Sequence, residues 1–300
     1  MVSPADPGSA SALEAISDQQ YMLPVENSAA VVSAEGLRVG LNSRSAPEPI
    51  KALAAAKGEK DRFVTISIDD GHPSDFRTAE LLDKYRLKAT FYLPRHNRER
   101  EVIKKHEIAE IGRYYEIGGH TVNNLRLKRL PDRLAWKEVS ECKRWLQDVI
   151  GAEVTSFCYP GGKFDSRIVA LVRRAGYLGA RTCMFNLHDF PRNPFLFGVS
   201  THACCHSTTI QIRHAILEAN LRGAWNYITV YRRIVDWKLQ FLLSLDFVER
   251  HGGVAHLFLH SWEIDANGDW LKLESVFKNI SERRTLSRVS NGDLFRRFNG

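Results

Sequence analysis

The chain has 300 residues, 44% of them hydrophobic and 10% aromatic, which is enough apolar side chain for one large domain or two small ones. Its formal net charge is +7, but the basic residues are spread along the chain without any nucleic-acid-binding motif, so we expect no nucleic-acid partner. No apolar run approaches the roughly 18 residues of a membrane span, and the first residues lack a signal-peptide pattern, so we expect a cytoplasmic protein without a transmembrane segment.

The predicted elements follow an N-terminal extension. Residues 1–60 are rich in alanine, serine and proline and weakly periodic, which predicts partial disorder. From Asp61 onward, strands are predicted at 62–69, 88–94, 116–121, 154–160, 177–182 and 253–261. Helices are predicted at 75–86, 98–115, 132–151, 165–176 and 269–282, with a long helical region at 207–250. This alternation predicts an α/β fold with a parallel sheet, open or closed as a barrel.

Polar residues follow four of the predicted strands. The stretches are "IDDG" with Asp69 and Asp70, "HTVNN" with His120, Thr121 and Asn124, "YPGG" with Tyr159 and Gly161, and "LFLH" with His260. Asp-Asp-Gly by itself is also ordinary turn chemistry. Because parallel strands present their carboxyl ends at one face, four such groups favour a shared pocket.

The residue types in this set indicate metal-assisted hydrolysis. A carboxylate, an imidazole and a third ligand suit a catalytic zinc-type ion with an open position for water. A second carboxylate can accept a proton from that water, and a separate histidine can protonate the leaving group. Backbone N–H groups of "YPGG" can stabilise an oxyanion. The predicted reaction is hydrolysis of an amide or ester.

The order of these motifs resembles that of the polysaccharide deacetylases with a NodB homology domain, carbohydrate esterase family four. The resemblance covers residues 61–300, which we take as one domain after the extension of residues 1–60. It implies a distorted (β/α)7-type barrel. It also implies removal of acetyl groups from amino-sugar glycans with a divalent metal, zinc first, and cobalt or nickel as alternatives.

The resemblance also implies roles for single residues. Asp69 matches the catalytic base, Asp70 and His120 match metal ligands, and His260 matches the general acid. Thr121 matches the hydroxyl residue that supports the metal loop. Three further residues are expected on the oxyanion or substrate side: Tyr159, Gly161 and Trp262. For Trp262, stacking on a sugar ring and simple packing are both open.

The chain departs from the family pattern at three places. The second metal histidine falls at Asn124, whose amide oxygen is a poorer zinc ligand than imidazole. The family arginine that positions the catalytic aspartate has no counterpart beside Cys158, and Arg181 is the candidate substitute. No clear match exists for the aspartate that orients the acid histidine.

The remaining histidines and the cysteines are expected to be structural. We expect six histidines to be surface or core residues: His72, His96, His106, His202, His206 and His256. His256 shares a strand face with His260, so support of the site is the alternative there. The five cysteines form no C-x-x-C pair, which predicts reduced thiols.

The leading hypothesis is a metal-dependent N-deacetylase of an amino-sugar oligosaccharide, polysaccharide or glycolipid precursor. One alternative is a glycan-binding relative with a weakened or lost metal site, motivated by Asn124. Another is a NodB-like hydrolase of non-sugar amide C–N bonds. The apolar segment 225–248 with its basic start predicts a core helix, with peripheral membrane contact as the alternative.

Overall fold

The structure is a computed structural model that describes residues 61–299, so the extension predicted for residues 1–60 lies outside the described residues. The strands in this part of the chain are β1 Arg62–Asp69, β2 Thr90–Leu93, β3 Glu116–Gly119, β4 Ser156–Cys158, β5 Gly179–Arg181, β6 Thr201–His202, β7 Gly253–Leu259 and β8 Ser287–Arg288. The helices are α1 Asp75–Lys84, α2 Lys105–Ile111, α3 Asp132–Ile150, α4 Ser166–Arg174, α5 Thr208–Leu217, α6 Leu221–Thr229, α7 Trp237–His251, α8 Ser261–Ala266, α9 Trp270–Glu282 and α10 Asn291–Asn299.

All strands of the sheet run parallel. Seven lie in the order β5-β4-β3-β2-β1-β7-β6, and β8 pairs with the start of β1. The central strand β1 is buried along nearly its whole length, as expected for a parallel strand with helices on one side and the packed interior of a curved sheet on the other.

The segment 197–203 links the two edges of this sheet. Phe197 N donates to Ala180 O of β5 (3.0 Å), and Ala203 N donates to Phe258 O of β7 (2.8 Å). The sheet therefore curves into a distorted barrel. The predicted α/β fold of the (β/α)7 type is confirmed.

The helices pack on the sheet through apolar stripes. In α3 the buried residues Ala135, Val139, Cys142 and Leu146 recur every three or four positions, which places them on one side of the helix. The helix ends at Gly151, whose φ of 66° is a left-handed conformation that glycine adopts readily.

Two predicted helical segments differ from the structure. The helix expected at 98–115 begins only at Lys105, because the chain before it is extended and Ile103 N donates to Gly71 O (2.8 Å). The region 207–250 forms three helices. Its breaks are at Asn220 and Asp236, whose side chains accept hydrogen bonds from the first turns of α6 and α7.

Four elements were not predicted, namely β6, β8, α8 and α10. The strands β6 and β8 have two residues each, too few for a period-2 pattern to show. The helix α10 follows β8 directly. Between residues 61 and 299, no helix has both the length and the apolar composition needed to cross a bilayer.

Candidate active site

The turn after β1 directs two adjacent carboxylates into one cleft. Asp69 is the last residue of β1, and Asp70 and Gly71 follow with φ values of 80° and 65°. Neighbouring side chains of a strand normally point to opposite faces. The left-handed conformation of Asp70, which is uncommon for a residue other than glycine, instead turns its side chain to the same cleft as Asp69. His120 Nε2 consequently lies 4.0 Å from Asp69 Oδ2 and 3.8 Å from Asp70 Oδ1.

The loop after β3 presents His120 and Asn124 to these carboxylates. Thr121 and Asn124 have φ values of 64° and 53°, and Leu125 N donates to Thr121 Oγ1 (3.1 Å), which closes the loop. Asn124 Nδ2 donates to Asp70 Oδ1 (3.0 Å). The His120–Asn124 spacing therefore does bring both side chains to Asp70.

Arg181 is the partner of Asp69. It is the last residue of β5, it is fully buried, and its guanidinium forms a hydrogen-bonded ion pair with Asp69 Oδ2. Burial by itself would raise the pKa of Asp69, but the positive charges of Arg181 and His260 lower it below the usual range. Asp69 is thus held ionised inside the barrel. The role of Arg181 in catalysis stays a prediction.

Cys158 stands beside this pair, near the place where the family has its arginine. Its Sγ lies 3.4 Å from Asp69 Oδ2. Burial raises the pKa of the thiol well above its usual value, so the thiol is protonated and donates to the carboxylate. Cys158 therefore adds a hydrogen bond to Asp69 and no charge.

His260 is oriented by a carboxylate that the sequence analysis did not single out. His260 Nδ1 lies 2.7 Å from Glu263 Oε2, one turn further along the chain in α8. Burial opposes protonation of His260, but the charges of Glu263 and Asp70 raise its pKa to about 9. His260 is therefore a cation at neutral pH, and its Nε2 lies 3.8 Å from Asp70 Oδ2.

His202 belongs to the same cluster. His202 Nε2 lies 2.8 Å from Glu263 Oε2, and His202 Nδ1 lies 2.8 Å from His206 Nε2. We expected both histidines to be surface or core residues and not ligands; His202 is indeed buried, and its hydrogen bond to Glu263 places it at the border of the site. The i,i+3 spacing of His260 and Glu263 on a helix could have indicated their contact. No local pattern indicates His202, because β6 has only two residues.

Trp262 also contacts Asp70. Its indole Nε1 donates to Asp70 Oδ2 (3.1 Å), and the guanidinium of Arg100 lies 3.4 Å from the ring centroid. One face of the indole is thus covered by Arg100. The predicted stacking on a sugar ring would use the other face or require Arg100 to move.

Tyr159 and Gly161 of the "YPGG" stretch lie in different surroundings. The Tyr159 side chain is fully buried, packs against Phe157 and Phe164, and donates its hydroxyl hydrogen to Phe195 O (3.3 Å). Its ring is therefore part of the core, and the expected place of Tyr159 on the oxyanion or substrate side stays a prediction. Gly161 has a φ of 61° and lies in the short 3-10 turn that follows β4, at the same end of the sheet.

His256 is a core residue. It is 1% exposed, and its ring nitrogens lie 2.8 Å from Ser67 Oγ and 3.1 Å from Gly198 O. Its ring stacks on Phe197. The expectation of a core residue is therefore confirmed, and support of the site stays the alternative.

The donor atoms around Asp70 fit a divalent metal in part. His120 Nδ1 is 3.1 Å from Cys158 O, which places the proton on Nδ1 and leaves the Nε2 lone pair facing Asp70. Burial lowers the pKa of His120 against the opposing effect of Asp69 and Asp70, so the ring is neutral, as a metal ligand must be. Asn124 fits less well, because Nδ2 and not the amide oxygen faces Asp70. A half-turn of the amide exchanges the two atoms.

Two groups of described residues bring potential ligand atoms within 4.8 Å of one another. One is Asp69, His120 and Cys158, in which the protonated thiol weighs against metal binding. The other is His202, His260 and Glu263, whose nitrogen and oxygen atoms are already hydrogen-bonded to each other. Asp70 with His120 remains the better metal candidate.

Residues 56–180 match the sequence profile of a family described as "Polysaccharide deacetylase". This match confirms the resemblance that the motifs indicated. It includes Asp69, Asp70, His120 and Asn124, and it ends one residue before Arg181. No curated protein matches the chain.

Several solved structures match parts of this chain. A family 4 acetyl xylan esterase from Clostridium thermocellum, in complex with a cobalt ion, is 17% identical over 78% of this chain and 91% of its own, with a TM-score of 0.50. The Xyl-CE4 domain of a multidomain xylanase from the hindgut metagenome of Trinervitermes trinervoides is 12% identical over 80% and 92%, with a TM-score of 0.48. The match to the deacetylase PplD from Streptococcus pyogenes, in complex with acetate, is 20% identical and covers 39% of this chain and 54% of that protein, with a TM-score of 0.37. At these identities the esterase from Clostridium supports the fold alone.

Proposed function

From the premise that residues 56–180 belong to the polysaccharide deacetylase family, we propose that the protein is a metal-dependent hydrolase of N-acetyl groups. Its substrate is an amino-sugar oligosaccharide, polysaccharide or glycolipid precursor, and the reaction takes place in the cytoplasm, with peripheral contact to a membrane. The products are acetate and a free amine on the sugar.

The observation that carries this proposal is that one cleft holds a carboxylate, Asp69, paired with Arg181 and an imidazole, His260, paired with Glu263. Arg181 holds Asp69 ionised, whereas Glu263 and Asp70 raise the pKa of His260 to about 9. Environments that push two pKa values apart are the arrangement by which one site supplies both a base and an acid. The carboxylate of Asp70 lies 3.8 Å from both His120 and His260.

The residues of the chain divide the reaction between them. Asp69 accepts a proton from the water that adds to the acetamide carbon, and Arg181 keeps the carboxylate ionised until that step. In this proposal the Gly161 N–H donates a hydrogen bond to the developing oxyanion. When the C–N bond breaks, His260 donates its Nε2 proton to the leaving amine nitrogen, and Glu263 retains the imidazole by its Nδ1 proton. The hydroxyl of the water ends in the acetyl product, and Asp69 releases its proton to solvent while His260 takes one up, which restores both groups.

Asp70, His120 and Asn124 are the residues that would hold the metal. Zinc is the first candidate, with cobalt and nickel as alternatives, and the bound ion supplies Lewis-acid activation of water and carbonyl oxygen. Asp70 contributes the charge of this set, and His120 contributes a neutral nitrogen whose tautomer is already selected.

The test combines acetate release with metal content in two variants. Purified protein is assayed on a panel of N-acetylated and N-formylated oligosaccharides and small amides, with and without Zn²⁺, Co²⁺ or Ni²⁺. We expect Asp69→Asn to bind metal as the parent does and to lose about 10²–10⁴ in rate, the usual contribution of a general base. Asp70→Asn should weaken metal binding instead. Equal loss of metal in both variants would contradict this division of roles.

A second candidate function is glycan binding without catalysis. It is favoured by one observation, namely that Asn124 and Trp262 both donate hydrogen bonds to Asp70 and so satisfy this carboxylate without an ion. Calorimetry separates the two candidates. Oligosaccharide binding without metal uptake and without acetate release would establish the glycan-binding function.

A further inference from the structure

The apolar surface of the described chain is concentrated in one place. Nine of the twelve exposed large hydrophobic side chains among residues 61–299 lie between Ile210 and Leu239. Six of them form the outer faces of α5 and α6 and of their connection, and we call these the helix-pair surface: Ile212, Ile216, Leu217, Leu221, Trp225 and Ile228. A soluble domain rarely leaves so many large apolar side chains together in water, so something covers them.

These side chains are exposed because they lie on the outer sides of intact helices, and not because the helices are frayed. Ile212 and Ile216 are four residues apart on α5, and Leu221 and Trp225 are four apart on α6, so each pair lies on one side of its helix. Leu221 is 81% exposed and Trp225 is 66% exposed. The opposite sides are anchored, since Asn220 Nδ2 donates to Phe185 O (2.8 Å) and Tyr227 is buried.

Charge identifies the partner that this surface suits. Residues 208–239 carry five arginine and lysine side chains against two carboxylates, a net charge of +3. Arg222, Arg232 and Arg233 are exposed, and Arg213 lines an open depression along α5 together with Ile212 and Ile216. A face with aliphatic side chains, one tryptophan and a basic border is the composition of helices that lie in the interface of an anionic bilayer.

The helix-pair surface borders the candidate active site. The helix α5 begins two residues after His206, which is hydrogen-bonded to His202 of the Glu263 cluster. At the other end of α5, Glu218 Oε1 lies 3.9 Å from Lys163 Nζ, in the loop that follows β4. The helix therefore runs along the edge of the face at which the strands end and the site residues meet.

We propose that the helix-pair surface inserts its apolar side chains into the interface of an anionic lipid bilayer and thereby holds the site beside a membrane-bound glycolipid substrate. The substrate part of this inference rests on the proposed function, whereas the membrane binding does not. In the bilayer the aliphatic residues lose contact with water, and the arginines meet lipid phosphate groups. The occupant is thus a lipid surface and not a protein partner.

The test is vesicle flotation of the full chain. We expect binding to phosphatidylcholine vesicles with about 30% phosphatidylglycerol and weak binding to phosphatidylcholine alone. The variant Leu221→Asp with Trp225→Asp should bind at least about tenfold more weakly, because it places two carboxylates in the apolar face. Each of the charge-reversing substitutions Arg232→Glu and Arg233→Glu should weaken vesicle binding by about fivefold or more.

The matched control is Leu271→Asp, which makes the same change at an 82% exposed leucine of α9 outside the helix-pair surface. It should bind vesicles as the parent does. Acetate release from a soluble oligosaccharide should be equal in the parent and in all these variants, so the outcome for the membrane is separate from the outcome for the proposed function. The proposal is wrong if the parent binds neither vesicle, or if Leu271→Asp weakens binding as much as the double variant. It is also wrong if size exclusion shows a dimer that the double variant dissociates without any vesicle binding, because a second copy then covers the surface.

Discussion

Asn124 determines how strongly the site can hold a metal. Its Nδ2 donates to Asp70 at the position where the family has a histidine. We expect Asn124→His to tighten metal binding by about tenfold or more and to raise activity at limiting metal, because imidazole is the better zinc ligand. Isothermal calorimetry with Zn²⁺ measures the affinity.

The control for this change is Asn123→His in the same loop, since the Asn123 side chain donates to Glu138 and not to Asp70 (2.6 Å). It should leave metal affinity unchanged. If neither the parent nor Asn124→His binds metal, the catalytic hypothesis fails and the glycan-binding hypothesis replaces it.

Glu263 is a positioning residue that acts through His260. Its carboxylate orients the imidazole and raises its pKa, so Glu263→Gln should lower kcat by about 10²-fold or less while KM changes little. In the variant, the alkaline limb of the pH profile of kcat should move to lower pH, because His260 loses its proton more easily. A purely structural role of Glu263 would not move this limb.

Asp265→Asn makes the same charge change on α8, at an exposed residue that bonds Trp270 and not His260, and serves as the control. Glu263→Asp should restore part of the activity. A kcat for Glu263→Gln within about twofold of the parent would show that His260 does not depend on Glu263.

At the level of elements, Asn220 separates α5 from α6. Its Oδ1 accepts from Gly223 N (2.8 Å) and its Nδ2 donates to Phe185 O, so it both caps α6 and attaches the helix pair to the barrel. We expect Asn220→Ala to lower the local stability of α5 and α6 by about 0.5–2 kcal/mol, the usual range for a lost cap. Hydrogen exchange of the two helices measures this change.

Thr229→Ala, at the exposed end of α6, removes a hydroxyl whose hydrogen bond stays within its own helix and is the control. It should change exchange by less than about 0.5 kcal/mol. Equal protection in the Asn220→Ala variant and the parent would show that the packing of Tyr227 alone holds the pair.

For the whole molecule, buried neutral histidines predict acid sensitivity. Burial lowers the pKa of His188, His206 and His256 to about 3. Because the unfolded chain binds these protons near pH 6.5 and the folded chain does not, the stability is fully present above about pH 6.5 and is lost as the pH falls toward 3. Each histidine contributes a slope of up to about 1.4 kcal/mol per pH unit in this window.

His188→Phe tests one of these contributions. The ring packs on Phe247, and the Tyr231 hydroxyl that contacts His188 also contacts Ser200 O and Ser244 Oγ, so the variant should fold. Urea unfolding between about pH 7 and pH 5 should show a shallower loss of stability than in the parent. The exposed His106 provides the control, His106→Phe, which should keep the slope of the parent.

The sequence by itself determined the order of the longer strands and helices. Hydrophobic periodicity predicted the alternation of strands and helices, because burial on a sheet imposes a period on neighbouring residues. The placement of Asp69, Asp70, His120 and His260 at one end of the barrel also followed, since parallel strands end on the same face. The short strands β6 and β8 escaped prediction because two residues carry no period.

Only the tertiary structure decided which distant groups meet. Arg181 reaches Asp69 across 112 residues of chain, and Glu263 meets His202 across 61 residues. The Tyr159 side chain is buried in the core because its ring packs against Phe157 and Phe164. The outer faces of α5 and α6 remained exposed although their residues are as apolar as those of the core. Local sequence sets which side chains share a face, but the competition for packing partners over the whole chain decides which faces become buried.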